Sequence, residues 1–206
     1  MTFSDLTIQL MVMRLLSGLI IAMVQGFAIA GVAVMLRDPG PRYDGRLTPV
    51  PFPHVDLIGL VSLILSGFGW SRFVAVEAEK LRFGRWGLVI VVLAGSAVLL
   101  AAAALLLLLV VPSLTLLPYT AGLAAAAFFR VAARLCVWTA LFAALPVPPL
   151  AGAHFLAALG IRLPASAGTV GAIVLLVASV LGVTRMVLTP VYAVVAPIVL
   201  GPEFAY

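Results

Sequence analysis

Two histidines and one carboxylate set the first chemical question. His54 and Asp56 stand two residues apart, and His154 is the second of the chain's two histidines. Imidazole nitrogens and a carboxylate oxygen are zinc ligands, and three of them with an open fourth position make a catalytic site. A fold that gathered His54, Asp56 and His154 would therefore create a metal centre. Against that stands a plainer reading, in which His54 and Asp56 satisfy backbone groups of a loop and His154 sits at an interface. Neither histidine falls in a His-x-x-x-His pattern. Cys136 is the only cysteine, so no internal disulfide forms, and its apolar surroundings read as burial. Ser62, Ser66, Ser96 and Thr139 have no base at a recognisable spacing. Hydroxyls in apolar helices usually bond back to their own helix, so a serine nucleophile is not expected. Gln25 sits in an apolar run, where an amide normally bonds to a neighbouring helix. Arg130 and Arg134 are one helical turn apart. Charge is costly at mid-bilayer, so they are expected to snorkel to an interface or to meet an acidic partner loop or a lipid headgroup.

The elements that must position these groups are membrane helices. Of 206 residues, 65% are hydrophobic and 9% are charged, far from soluble composition. Several runs reach the roughly 20 apolar residues that cross a bilayer core. The sequence predicts an all-α polytopic membrane protein, a single integral membrane domain over 1–206. Full spans are expected at about Leu10–Leu36, Trp86–Val111, Pro118–Leu145 and Ala165–Leu188. The first is read as an uncleaved anchor, since its apolar run is too long for a signal peptide. The segment 189–200, with Pro190 and Pro197, is expected along the surface. The net charge of +5 does not point to nucleic acid, because the basic residues cluster in two loops, 37–53 and 71–85. Those loops flank the short apolar segment His54–Trp70. Placing both in the cytoplasm satisfies the positive-inside rule and makes 54–70 re-entrant. No internal repeat is visible, which leaves an inverted-repeat transporter unsupported. High Ala, Leu and Arg usage with a single Lys hints at a GC-rich bacterium and its inner membrane.

Three prolines in four residues break the third span: Pro146-Val-Pro-Pro-Leu-Ala-Gly152. Proline cannot continue a helix. This stretch resembles the P-x-P-P-L-D-G motif of the site-2 protease family, the intramembrane zinc metalloproteases. Leu36-Arg-Asp-Pro39, Gly45-Arg-Leu-Thr48, His54-Val-Asp-Leu-Ile-Gly59, Phe68-Gly-Trp70 and Ala94-Gly95-Ser96 resemble further family segments in matching order and spacing. The resemblance covers about residues 15–159, a site-2-protease-like core, with the span and surface segment of 165–206 added. It implies a zinc ion held by two His of a His-Glu-x-x-His helix, where the Glu is general base, and by the Asp of the proline motif. At the matching positions this chain has Gln25, Ile29, Gly26 and Ala151. Ile and Ala cannot ligate zinc, Gly has no side chain, and a neutral amide is a poor ligand. No catalytic residue, metal or cofactor is therefore expected.

Three functions follow for testing. The first is an inactive protease-like protein serving as an accessory subunit of a larger hetero-oligomeric membrane complex. In it the broken edge of Pro146, Val147, Pro148, Pro149, Leu150 and Gly152, with Arg130 and Arg134, holds a partner transmembrane segment or lipid, while Arg46, His54 and Asp56 form a structural polar cluster. The second is a peptidase using a displaced metal at His54, Asp56 and His154. The third is a small transporter or channel.

Overall fold

The computed structural model describes residues 7–161, 164 and 166–202. It is helical, and among these residues it contains no β-strand. Four helical stretches are long and apolar enough to cross a membrane: Ile8–Met35, Arg85–Leu116, Tyr119–Ala143 and Val183–Leu200.

Helix α1 (Ile8–Met35) begins where the Thr7 side chain accepts a bond from the Leu10 amide, 3.2 Å, a standard N-cap. The next segment, α2 (Gly40–Tyr43), is one turn in the loop after α1. Helix α3 (Leu57–Ser66) is capped by Asp56, whose Oδ1 accepts from the Gly59 amide at 2.8 Å. It ends at Gly67 in the left-handed region (φ 84°), where only glycine sits without cost. The chain then turns back. Gly69 and Gly59 meet so closely that a Cβ on either would collide with backbone of the other segment. The return stretch reaches Ser71, which bridges to Val55, and the Arg72 amide donates to the His54 carbonyl at 2.7 Å. The two ends of segment 54–71 thus lie side by side, as in a hairpin.

Helices α4 (Arg85–Leu108) and α5 (Val110–Leu116) form one apolar stretch. Pro112 in the first turn of α5 has no N–H and would crowd the carbonyl of Leu108, which accounts for the break at Leu109. Helix α6 (Tyr119–Ala143) stops before the proline motif, and α7 (Ala153–Ala158) follows it. The core gathers Leu63, Phe68, Trp138, Phe142, Leu150 and Tyr192. Trp138 and Tyr192 stack at 3.9 Å between ring centroids.

The C-terminal third departs from expectation. The single span at 165–188 is two helices, α8 (Ala167–Val180) and α9 (Val183–Leu200). Gly182, with φ 81°, separates them. The segment 189–200 is not a separate surface piece but most of α9. Its Pro190 and Pro197 lie inside that helix. Tyr192, Ala196 and Leu200 on α9 are buried. Residue 165 and the final residues 203–206 lie outside the described residues.

Candidate functional site

Of the four positions matched to the metal ligands and the base, Gln25, Gly26 and Ile29 are buried and Ala151 is half-buried. Gln25 is 1% exposed, and its Oε1 accepts from the Ser71 hydroxyl at 2.9 Å. Gly26 lies against His54. A Cβ at position 26 would collide with the His54 ring at Nδ1. Ile29 joins Ala30, Ala33, Val74 and Val91 in an apolar cluster, and Ala151 packs against that same cluster. The fold therefore draws the second histidine position and the aspartate position together, as the resemblance implies, but joins them through hydrocarbon.

His54, fully buried, donates from Nε2 to the Thr48 carbonyl at 3.0 Å, while its buried Nδ1 has no hydrogen-bond partner. The acceptor on Nε2 makes this nitrogen the protonated one in the neutral ring. Burial pushes the His54 pKa below the ordinary histidine value; the Thr48 bond opposes this and the Arg46 charge adds to it. Arg46 donates to the carbonyls of Pro53 and, at 3.2 Å, Phe73. His54 Nε2, Arg46 and Asp56 thus bond to backbone. His154, also buried, donates from Nε2 to the Val74 carbonyl at 3.0 Å and stacks on Phe73 at 4.6 Å. Burial lowers its pKa too, against the opposing Val74 bond.

Three sequence candidates do not converge. His54, Asp56 and His154 are each committed to separate backbone partners. Among the described residues no group of three or more His, Cys, Asp or Glu could hold a metal ion. The displaced metal centre is not formed by this geometry. The donor set at positions 25, 26, 29 and 151 does not fit zinc either: one neutral amide remains, and it is bonded to Ser71.

The proline motif is not an open edge. Leu150 is fully buried, and the Gly152 amide donates back to the Ala143 carbonyl at 2.7 Å. The Pro148–Pro149 peptide is cis. The Pro148 carbonyl lies against Gly171 of α8, where any Cβ would strike it. The chain's own helix α8 covers this side of the break. What stays open is a cleft of about 860 Å³ beside it, lined by Phe73, Glu79, Arg85, Pro149, His154 and Ile161 among others. That volume is in the range of ligand-binding clefts.

Arg130 and Arg134 also part company. Arg130 is exposed; Arg134 is half-buried beside Arg14, Arg185 and Trp138. Sequence reasoning passed over three residues that matter here. Asp38, 1% exposed, accepts from the Gly40 amide and from the Glu77 amide, both at 2.9 Å, tying the two loops together. Its signal was present, since Asp before Pro-Gly favours a local turn bond. Gly171 had no local signal, because its partner lies 23 positions away. Arg185 sat within an apparent span and drew no notice.

Comparison with known proteins gives one sequence match. Over 84 residues the chain is 31% identical to a Bacillus subtilis (strain 168) protein described as "Putative zinc metalloprotease YwhC". The alignment covers 38% of this chain and 38% of that protein, so the match spans well under half of either. No family model matches the chain, and no solved structure matches it. The chain is an integral membrane protein with partial similarity to a sequence described as a zinc metalloprotease.

Proposed function

We propose that this chain is a non-catalytic relative of the site-2 proteases that works as an accessory subunit in a bacterial inner membrane, where it seats a segment of another membrane protein in the cleft beside the proline motif. One observation carries the reading: the positions for ligands and base are not merely substituted but filled. The His54 ring occupies the space a side chain at 26 would need. Ile29 and Ala151 share one apolar cluster. A protein under pressure to bind zinc would not close that space with hydrocarbon.

The cleft has apolar walls at Phe73, Pro149 and Ile161 and opposite charges at Glu79 and Arg85, which suits an extended peptide flanked by polar residues. Extraction from the source membrane in mild detergent tests the reading. A discrete complex with one protein partner at fixed stoichiometry is expected, and a lone monodisperse monomer would count against it. Ala157→Trp, at an exposed position on the cleft wall, should release the partner without unfolding the chain.

The similarity to a sequence named as a zinc metalloprotease favours a peptidase as the second reading. It requires close to one equivalent of zinc in the purified protein. Less than about a tenth of an equivalent would eliminate it.

A further inference from the structure

A second cavity lies between α1, α4 and α6, apart from the proline motif and its cleft. It holds about 190 Å³ and is lined by Ser17, Val24, Leu99, Leu109, Phe128 and Cys136 among others. Helix α4 runs antiparallel to both of its neighbours. A Cβ on Gly95 of α4 would strike Ile29 of α1, and Ser96 Oγ donates to the Ala140 carbonyl of α6 at 3.1 Å. At the other end, a Cβ on Gly122 of α6 would strike the Ser113 carbonyl. Ser17, Leu109 and Phe128 therefore stand at one end of the cavity, and Val24, Leu99 and Cys136 at the other. The walls run about 10 Å from Ser17 to Val24 and about 15 Å from Leu99 to Leu109, at 1.5 Å per residue. The cavity is thus a slot along the helix axes. Ile20, Leu105 and Leu109 on its walls are exposed, so it opens sideways from helices long enough to cross the membrane.

Ser17 carries the only hydroxyl on these walls. It is fully buried, and its Oγ has no hydrogen-bond partner among the described residues. Other hydroxyls of this chain bond back along their own helix, as Ser66 does to the Ser62 carbonyl and Ser113 to the Val110 carbonyl, both at 2.7 Å. A buried hydroxyl left unpaired is costly, so the slot selects an occupant that brings an acceptor to Ser17. An apolar cavity of roughly 150 Å³ already takes up benzene, and this one is larger. We infer that the slot holds one acyl chain of a membrane glycerolipid, whose ester carbonyl accepts from the Ser17 hydroxyl. Direction fits, because acyl chains lie along helices that cross the bilayer. Depth fits as well. Helix α1 has 28 residues, about 42 Å, against a hydrocarbon core of roughly 30 Å. Ser17 is nine residues, about 13 Å, from the first residue of α1. That sets Ser17 in the outer part of the hydrocarbon and Val24 nearer its middle, the order in which an ester and its chain occur. A protein helix, about 10–12 Å across, needs several times this volume over the same length. The site is independent of the cleft and of the accessory role.

Native mass spectrometry of the delipidated full chain tests it with two probes, a diester phosphatidylcholine and the diether lipid of the same chains and headgroup. One diester lipid per chain should be retained. The diether, which lacks the carbonyl, should bind about fivefold more weakly, the worth of one neutral hydrogen bond. Ser17→Ala should bind the two lipids alike, at the level of the diether. Ala102→Phe, which fills the slot from its half-buried wall, should weaken both at least tenfold. Leu93→Phe, on the exposed face of the same helix, should leave both unchanged and so controls for added bulk. Thermal midpoints measured alongside separate a filled slot from a lost fold. Because Ser17→Ala keeps the volume, the ester–ether comparison decides the matter even if Ala102→Phe does not fold. Equal retention of diester and diether by the parent chain, or full retention of lipid by a folded Ala102→Phe, would overturn the inference. Complete displacement of the diester by equimolar palmitate would make the slot one for a free fatty acid, and the glycerolipid assignment would fail.

Discussion

At position 26 a missing side chain and a histidine ring occupy one space. Gly26→Ala places a methyl group where His54 Nδ1 now lies. Overpacking of this kind costs about 1–3 kcal/mol, and the gain in helix propensity returns about 1 kcal/mol. Thermal unfolding in detergent should therefore show a lower midpoint for this variant. A midpoint at or above the parent would mean that the ring is not packed there. Acid should act on the same ring. His54 and His154 both have pKa values pushed below the ordinary value by burial. The unfolded chain, with histidines near 6.5, binds protons first as the pH falls. Their contribution is thus complete above about pH 6.5 and declines below it. The midpoint should hold between pH 7 and 8 and drop toward pH 5; a rise on acidification would contradict buried neutral imidazoles. The resemblance matches Gln25, Ile29 and Ala151 to ligand positions, because motif order fixes them. It did not reveal that His54 fills the gap, since that contact joins residues 28 apart in the chain and depends on how α1 meets the loop before α3.

The elements differ in how openly the sequence displayed them. Helices α1, α4 and α6 follow from long apolar runs, and the re-entrant hairpin follows from two basic loops around a segment too short to cross. The α8–α9 pair does not, because hydropathy runs on through Leu181 and Gly182 and hides the turn. Gly182 was the available signal, as glycine is the usual residue just past a helix end. Helix α8 also changes the meaning of the proline break. The motif predicts an exposed backbone edge, yet the Pro148 carbonyl rests on Gly171. Gly171→Leu should push α8 away, and hydrogen exchange should then rise in 146–152 as well as in α8 itself. Unchanged protection of 146–152 would show that α8 does not cover the motif. Helix α9 is held by Tyr192, 4% exposed and stacked on Trp138. Tyr192→Ala should cost about 3–5 kcal/mol, as for other large buried aromatic side chains.

Over the whole molecule, both loops occupy one end. The Arg82 amide donates to the Leu36 carbonyl at 2.7 Å, and Asp38 reaches the Glu77 amide. We propose that this end is cytoplasmic, following the basic residues of 37–53 and 71–85. Cysteine placed at exposed Asp44 or Glu79 should react with a membrane-impermeant reagent only from that side, with native Cys136 buried and silent. Labelling of the two positions from opposite sides would break the hairpin reading. The two basic loops were legible in the sequence from their charge, but the arginine cluster was not, because Arg14, Arg134 and Arg185 are scattered over 172 positions and meet only through helix packing. The central claim concerns what the whole assembly does, and extraction of the intact chain from its own membrane tests it most directly. Native mass spectrometry of that material, with zinc measured on the same sample, should show a fixed-stoichiometry complex with a second membrane protein and far less than one zinc per chain. A lone monomer carrying one equivalent of zinc would contradict the account.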